Sequence, residues 1–133
     1  MERTLCLLKP DILKRNLQEQ ALQDISKHFA IIDKFQFLMS EDQAKEFYIQ
    51  HEDRPFFPIL IGFITKGEII AVVLEGENAI NRYRELIGAT NPKDAAEGTL
   101  RHRYGISIDE NSFHGSDSLE NAERELKLFA SWR

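Results

Sequence analysis

The apolar run from Arg3 to Leu8 predicts a first strand, ended by Lys9-Pro10-Asp11 because proline has no N–H to extend a ladder. Leu17, Ala21, Leu22, Ile25 and Phe29 then recur at helical spacing and predict a first long helix. From Ile31 to Met39 the period changes to two, with Phe35, Phe37 and Met39 alternating with Lys34, Gln36 and Leu38, which predicts a second strand. Ser40 and Gln43 have the spacing of a capping box, and Ala44, Phe47 and Tyr48 supply the apolar face of the helix behind it. Pro55-Phe56-Phe57-Pro58 opens a short helical segment through Phe63. Ile69 to Leu74 is nearly unbroken and β-branched, the pattern of a strand covered on both sides. Asn78 begins a helix carrying Ile80, Tyr83 and Ile87, and Gly88 stands where it should stop.

Between Ala89 and Ile106 periodicity fades, and an irregular stretch of that length in a compact domain is more often functional than idle. A last strand leads into His114, and a final helix from about Leu119 is expected to bury Leu119, Ala122, Leu126 and Phe129. The succession strand, helix, strand, strand, helix, strand predicts an α+β fold. Its core is a four-stranded antiparallel sheet of ferredoxin-like topology with helices on one face, plus an inserted helical pair from Ser40 to Phe63.

At 133 residues the chain is expected to form one domain with one site. The lone Cys6 has no intramolecular disulfide partner, and Lys9 and Asp11 interrupt the first apolar run before it can act as a secretory leader, so the cytoplasm is the expected compartment. No stretch is long and apolar enough for a membrane span. A net charge of −5 disfavours a nucleic-acid binder, including an RNA-binding sheet of similar topology, but not a nucleotide site, since a few cations focused in a cleft suffice for a triphosphate. There is no Gly-x-x-x-x-Gly-Lys-Ser/Thr loop, Gly-x-Gly-x-x-Gly, His-Arg-Asp, Asp-Phe-Gly or Gly-x-Ser-x-Gly.

Four histidines are present, and position separates them. His28 and His51 follow helices, His102 lies between two arginines, and only His114 precedes Gly-Ser-Asp-Ser at a helix start. Ser116, Asp117 and Ser118 offer caps there, and the free N–H groups of the helix favour an anion near the ring. A neutral imidazole is a nucleophile, and a phosphoryl group is its natural partner. Such a ring needs an acceptor on its other nitrogen. Glu123 and Glu125 border opposite sides of the apolar stripe of the last helix, and periodicity does not choose between them.

The segment Asn111 to Ser118 (NSFHGSDS) resembles the signature of nucleoside diphosphate kinases, which pass a terminal phosphate between nucleotides through a phosphohistidine. Thr4 to Asp11 (TLCLLKPD), Asp53 to Pro58 (DRPFFP), Gly88 to Pro92 (GATNP) and Gly98 to Arg101 (GTLR) resemble that family's other segments in its order. The resemblance implies His114 as nucleophile, Glu125 as its orienting carboxylate, and Tyr48 and Ser116 beside it. It assigns Arg84, Arg101 and Thr90 to the phosphates, Lys9 and Asn111 to the sugar hydroxyl and phosphate end, and Phe56 and Ile108 to the base. It further implies broad base specificity, Mg2+ on the substrate phosphates with Asp117 approaching through water, and a homo-oligomer, hexamer or tetramer, built from dimers. Two segments depart from the family pattern: Leu17 to Ala21 lacks its usual glycine, and His102-Arg103-Tyr104-Gly105 is more basic than usual.

Overall fold

The computed structural model describes residues 1–107 and 111–132. Its sheet has four strands, β1 (Glu2–Leu8), β2 (Ala30–Phe37), β3 (Ile69–Gly76) and β4 (Phe113–Gly115), in the order β2-β3-β1-β4. Every neighbouring pair is antiparallel, with Leu5 opposite Val73, Leu7 opposite His114, and Phe35 opposite Ala71. β1 and β3 are the interior strands and carry the unbroken apolar runs, whereas the edge strand β2 alternates between half-buried and exposed residues. A bulge at Ile32 shifts the β2 register between Ile31 and Asp33.

Helices α1 (Pro10–Lys14), α2 (Gln18–Ser26), α3 (Glu41–Phe47), α4 (Phe57–Thr65), α5 (Ala79–Ile87), α6 (Leu100–Tyr104) and α7 (Leu119–Trp132) surround the sheet. They cover both faces, not one. Cys6, Leu8, Val72 and Leu74 pack against Ile25, Tyr83, Ile87 and Leu100, while Leu5, Leu7, Ala71 and Val73 pack against Phe47, Ile64 and Phe129. The inserted pair α3–α4 and the last helix therefore form the second layer, as the two-sided apolar pattern of β3 requires.

Several boundaries differ from the periodicity. Pro10 does more than end β1: at the first position of α1 its missing N–H costs nothing, so a short helix precedes α2. The expected long first helix accordingly shrinks to Gln18–Ser26, and Phe29 lies beyond it with its N–H on the Ile25 carbonyl at 3.1 Å. The irregular stretch contains a 3-10 turn, Pro92–Asp94, and α6, whose N-cap Thr99 accepts from the His102 N–H at 3.3 Å. Leu119 is 59% exposed, because it stands at the first position of α7, before the buried face begins at Ala122. Asn78, with φ of 49°, leaves the start of α5 uncapped by its own side chain; Glu2 on β1 accepts the Ile80 N–H at 2.9 Å instead.

Gly88 ends α5 at φ of 85°, and a Cβ there would lie 2.7 Å from the Thr99 hydroxyl oxygen. Only glycine lets the following loop fold back over α6 at that point.

The capping box of α3 is complete: Ser40 Oγ accepts from the Gln43 N–H at 3.1 Å, and the Gln43 side-chain carbonyl accepts from the Ser40 N–H at 2.9 Å. Ser40→Ala is expected to destabilise the protein by about 1 kcal/mol, because the Gln43 N–H loses its side-chain acceptor at the entry to the second layer. Urea unfolding checks this, and an unchanged midpoint would mean that α3 is held by packing alone.

Candidate active site

β4 places His114 beside β1, with its side chain at the mouth of a cleft of about 550 Å³ between the α3–α4 pair, α5 and the loop after Gly88. The imidazole Nε2 lies 2.8 Å from Glu125 Oε1. Glu125 is 2% exposed on the inner face of α7, whereas Glu123 is exposed, so helix packing makes the choice that periodicity left open. Since a carboxylate only accepts, Nε2 carries the ring proton and Nδ1 is the basic nitrogen. The Ser116 hydroxyl donates to the same Glu125 oxygen at 2.8 Å and accepts from the Leu5 N–H at 3.3 Å, tying the pair to β1. Phe47 presents an edge to the imidazole, with ring centroids 4.9 Å apart.

α7 starts at Leu119 as expected, but of the three polar residues offered as caps only Ser118 serves, accepting from the Asn121 N–H at 3.1 Å. Ser116 turns inward to Glu125, and Asp117 accepts from the Asn121 side chain. That hydrogen bond, opposed by partial burial and aided by the Arg84 charge, holds the Asp117 carboxyl below its ordinary range. Gly115 is required by close approach, since a Cβ would meet the Tyr83 ring at 2.8 Å.

Cations gather on one side of the cleft. Lys9 Nζ donates to Asn111 Oδ1 at 2.8 Å, and Asn111 Nδ2 donates to the Thr90 carbonyl at 3.2 Å, a chain that links β1 to the loop after Gly88. Burial, and next the Arg101 guanidinium, bring the Lys9 ammonium down to about 7, against Asp11, which acts the other way. Arg101 is no snorkelling surface arginine: only 8% exposed, it donates to the carbonyls of Gly88 (2.9 Å) and Phe113 (2.8 Å). Arg84, on the exposed side of α5, completes the group.

The opposite wall is aromatic. Phe56 is 43% exposed, so it is no core residue, and its ring is 5.6 Å from His51, which stands 6.5 Å from Tyr48. Burial first, then the Glu125 charge, push the Tyr48 phenol well above its ordinary range, so it stays a donor. Lys9, Tyr48, Phe56, Arg84, Thr90, Arg101, Asn111, His114, Asp117 and Glu125 all line this cleft, with Ser116 buried behind it; Ile108 lies outside the described residues. Phe47, Gln50 and His51 also line it and were not expected there. Their only signal in the sequence is that they flank Tyr48. Among the described residues no cluster of three or more metal-ligating side chains occurs.

A histidine oriented by a buried carboxylate, in one cleft with the buried Lys9 and Arg101 and the exposed Arg84, has the make-up of a phosphotransferase site on a ferredoxin-like sheet. The family model of nucleoside diphosphate kinase matches residues 2–132. Curated relatives called nucleoside diphosphate kinase include those of Persephonella marina, 48% identical over 98% of this chain and 94% of the relative, and Haemophilus ducreyi, 48% identical over 98% and 96%. The nucleoside diphosphate kinase of Aquifex aeolicus superposes with a TM-score of 0.93 at 38% identity, covering 96% of this chain and 94% of its own. That of Halobacterium salinarum, solved in complex with CDP, gives 0.91 at 40% identity, covering 96% and 86%. The chain belongs to the nucleoside diphosphate kinase family.

Lys9 generates a pH dependence of folding. Its pKa falls from 10.5 to about 7 on folding, so between those values the unfolded chain binds a proton that the native chain does not. Native stability from this group therefore rises with pH, by up to about 1 kcal/mol per unit. Above the ordinary Cys6 value of 9.0 the effect is opposed, because burial raises the folded thiol to about 12 and only the unfolded thiol ionises. Urea unfolding from pH 7 to 9 should show the rise in the wild type and lose it in Lys9→Met; equal slopes would mean that Lys9 titrates as it does in water.

Proposed function

We propose that this protein transfers the terminal phosphate of a nucleoside triphosphate to a nucleoside diphosphate in two displacements at His114 Nδ1. The observation that carries the reading is the 2.8 Å contact of Nε2 with Glu125, which leaves Nδ1 as the nucleophile in a cleft lined by cations. In the first displacement the Nδ1 lone pair forms an N–P bond as the bond from phosphorus to the bridging oxygen breaks, and the diphosphate leaves. In the second, a terminal oxygen of another diphosphate attacks the same phosphorus and the N–P bond breaks. The phosphoramidate keeps a high transfer potential, so both directions are accessible.

Arg84, Arg101 and Thr90 hold the phosphates, and Lys9 and Asn111 hold the sugar hydroxyl and phosphate end. Arg101 gives up little freedom on binding because two backbone carbonyls already fix its fork. Glu125 steadies the imidazole as positive charge develops on it, Ser116 shares that carboxylate, and Tyr48 donates near the transferring group. Phe56, together with Ile108, holds the base by its face, which every base offers.

The donor set suits Mg2+ carried in by the nucleotide. One rim carboxylate, Asp117, kept ionised by Asn121, matches a hydrated ion that takes most of its ligands from phosphates and water. Bound there, Mg2+ would neutralise charge on the substrate's phosphate oxygens. The chain is proposed to act as one domain in a homo-oligomer built from dimers, hexamer or tetramer, without a nucleic-acid or membrane partner and in the cytoplasm. The half-exposed edge strand β2 is compatible with subunit pairing, and no described helix is long and apolar enough to cross a membrane.

Incubation with labelled ATP should give an acid-labile phosphoprotein that GDP chases completely, and His114→Ala should abolish both label and exchange while nucleotide binding persists. Label on the alanine variant, or an acid-stable adduct, would move the nucleophile elsewhere.

Phe56→Ala should weaken ADP, GDP and CDP alike, by roughly five- to a hundredfold. Equilibrium titration of the three nucleotides decides it; a loss confined to one base would place base recognition at an edge contact and not at this ring.

A further inference from the structure

The Lys9–Asn111 pair and His114 are joined by a turn under strain. Ser112, between them, has φ of 74°, a conformation that non-glycine residues adopt uncommonly and keep only where their surroundings enforce it. The Phe113 N–H donates to the Asn111 carbonyl at 2.9 Å, closing a three-residue turn around Ser112, and the Ser112 carbonyl accepts the Lys9 N–H at 2.9 Å. The turn thus sets the spacing from Asn111 and Lys9 to β4 and its histidine.

The Ser112 side chain is held by a buried cluster centred on Asp11, in which the Tyr104 carbonyl is a second acceptor for the same hydroxyl at 3.1 Å. The Asp11 carboxylate is 2% exposed and stands at the second position of α1, two residues beyond Lys9. Its Oδ2 accepts the Ser112 hydroxyl and, at 3.2 Å, Arg15 Nη2. Arg15 also donates to Ser112 Oγ at 3.1 Å, to the Asp11 carbonyl at 3.1 Å, and to the Tyr104 carbonyl. The other carboxylate oxygen, Oδ1, is buried without a hydrogen-bond partner among the described residues. A fold that needed only the Ser112 contact would be served by a neutral acceptor, because an unsatisfied buried charge is costly.

We propose that Asp11 is a positioning residue of the active site, helping to hold the strained Asn111–Ser112–Phe113 turn closed and standing as the buried anion two residues from the buried Lys9. The proposal rests on the phosphohistidine reading above. Three groups act on Lys9: Asn111, which accepts its hydrogen bond, Arg101, whose charge disfavours the ammonium, and Asp11, whose charge favours it. Asp11 itself is paired with Arg15, the C-cap of its own helix. Without the carboxylate, burial and Arg101 act on Lys9 unopposed, and the ammonium that meets a phosphate loses its proton at lower pH.

The test is single-turnover labelling of His114 by ATP across a range of ATP concentrations and pH, with thermal melts, for wild type, Asp11→Asn and Ser112→Ala. In Asp11→Asn the alkaline fall in labelling rate over half-saturating ATP should move down by about one pH unit, a roughly tenfold loss at mildly alkaline pH that shrinks as the pH is lowered. Ser112→Ala, which keeps every charge but frees the turn, should label about tenfold more slowly with its alkaline limb where the wild type has it. An Asp11→Asn protein that melts earlier yet keeps the wild-type limb and half-saturation would make Asp11 a structural residue only. Should Asp11→Asn fail to fold, Ser112→Ala decides: labelling at the wild-type rate overturns the proposal, and slowed labelling with an unmoved limb supports it. If wild type itself takes up no label at His114, the phosphohistidine reading fails; if wild type and both variants label alike, only the role of Asp11 does.

Discussion

The hydrogen bond between His114 Nε2 and Glu125 is the contact around which the rest of the molecule is arranged. A buried carboxylate is costly unless it is hydrogen-bonded, and Glu125 offsets that cost through the imidazole and the Ser116 hydroxyl, both on Oε1. Its second oxygen is 3.9 Å from Arg124, a weaker contact, and Arg124 is itself committed to the carbonyls of Glu46 and Phe47 at the end of α3. One carboxylate thereby joins β4, α7 and the inserted pair. The second helical layer follows from it: α7 must lie across the sheet for Glu125 to reach the ring, and Phe129 and Trp132 anchor it there against Leu5, Leu7 and Phe47.

The cleft reconciles an acidic protein with an anionic substrate. The chain carries a net −5, yet Lys9, Arg84 and Arg101 converge on one wall, two of them buried. Low-dielectric surroundings strengthen each cation's pull on a phosphate and also raise the cost of keeping it charged, which is why Lys9 sits near 7 before substrate arrives. Facing this wall, Phe56, His51 and Tyr48 form a partly exposed row of rings. Charge on one side and π-faces on the other are the complement of a nucleotide's two ends.

Much of this was legible before any coordinates. The period-two pattern of β2, the Ser40 capping box and the Gly88 helix stop are local signals, and local sequence determines them. What periodicity missed is tertiary. Glu123 and Glu125 differ in which side of α7 meets the sheet, and only the motif resemblance favoured the buried one. Pro10 reads as a strand end but is also a helix start, since the same missing N–H serves both. Leu119 is apolar in sequence yet precedes the buried stripe, and the polar run after His114 disperses to Glu125, Asn121 and a cap because α7 begins later than its first candidate cap. Asp11 and Arg15 have a readable i,i+4 spacing, but Ser112 lies far from both in sequence and carries no pattern that betrays their meeting.

The central claim is about one proton: Glu125 keeps it on His114 Nε2 so that Nδ1 meets phosphorus. Nitrogen NMR of isotopically labelled histidine, before and after reaction with ATP, tests this most directly. The account predicts a protonated Nε2 and a bare Nδ1 in the free protein, with phosphorus bonded to Nδ1 afterwards. A proton resident on Nδ1, or a phosphoryl group on Nε2, would contradict it.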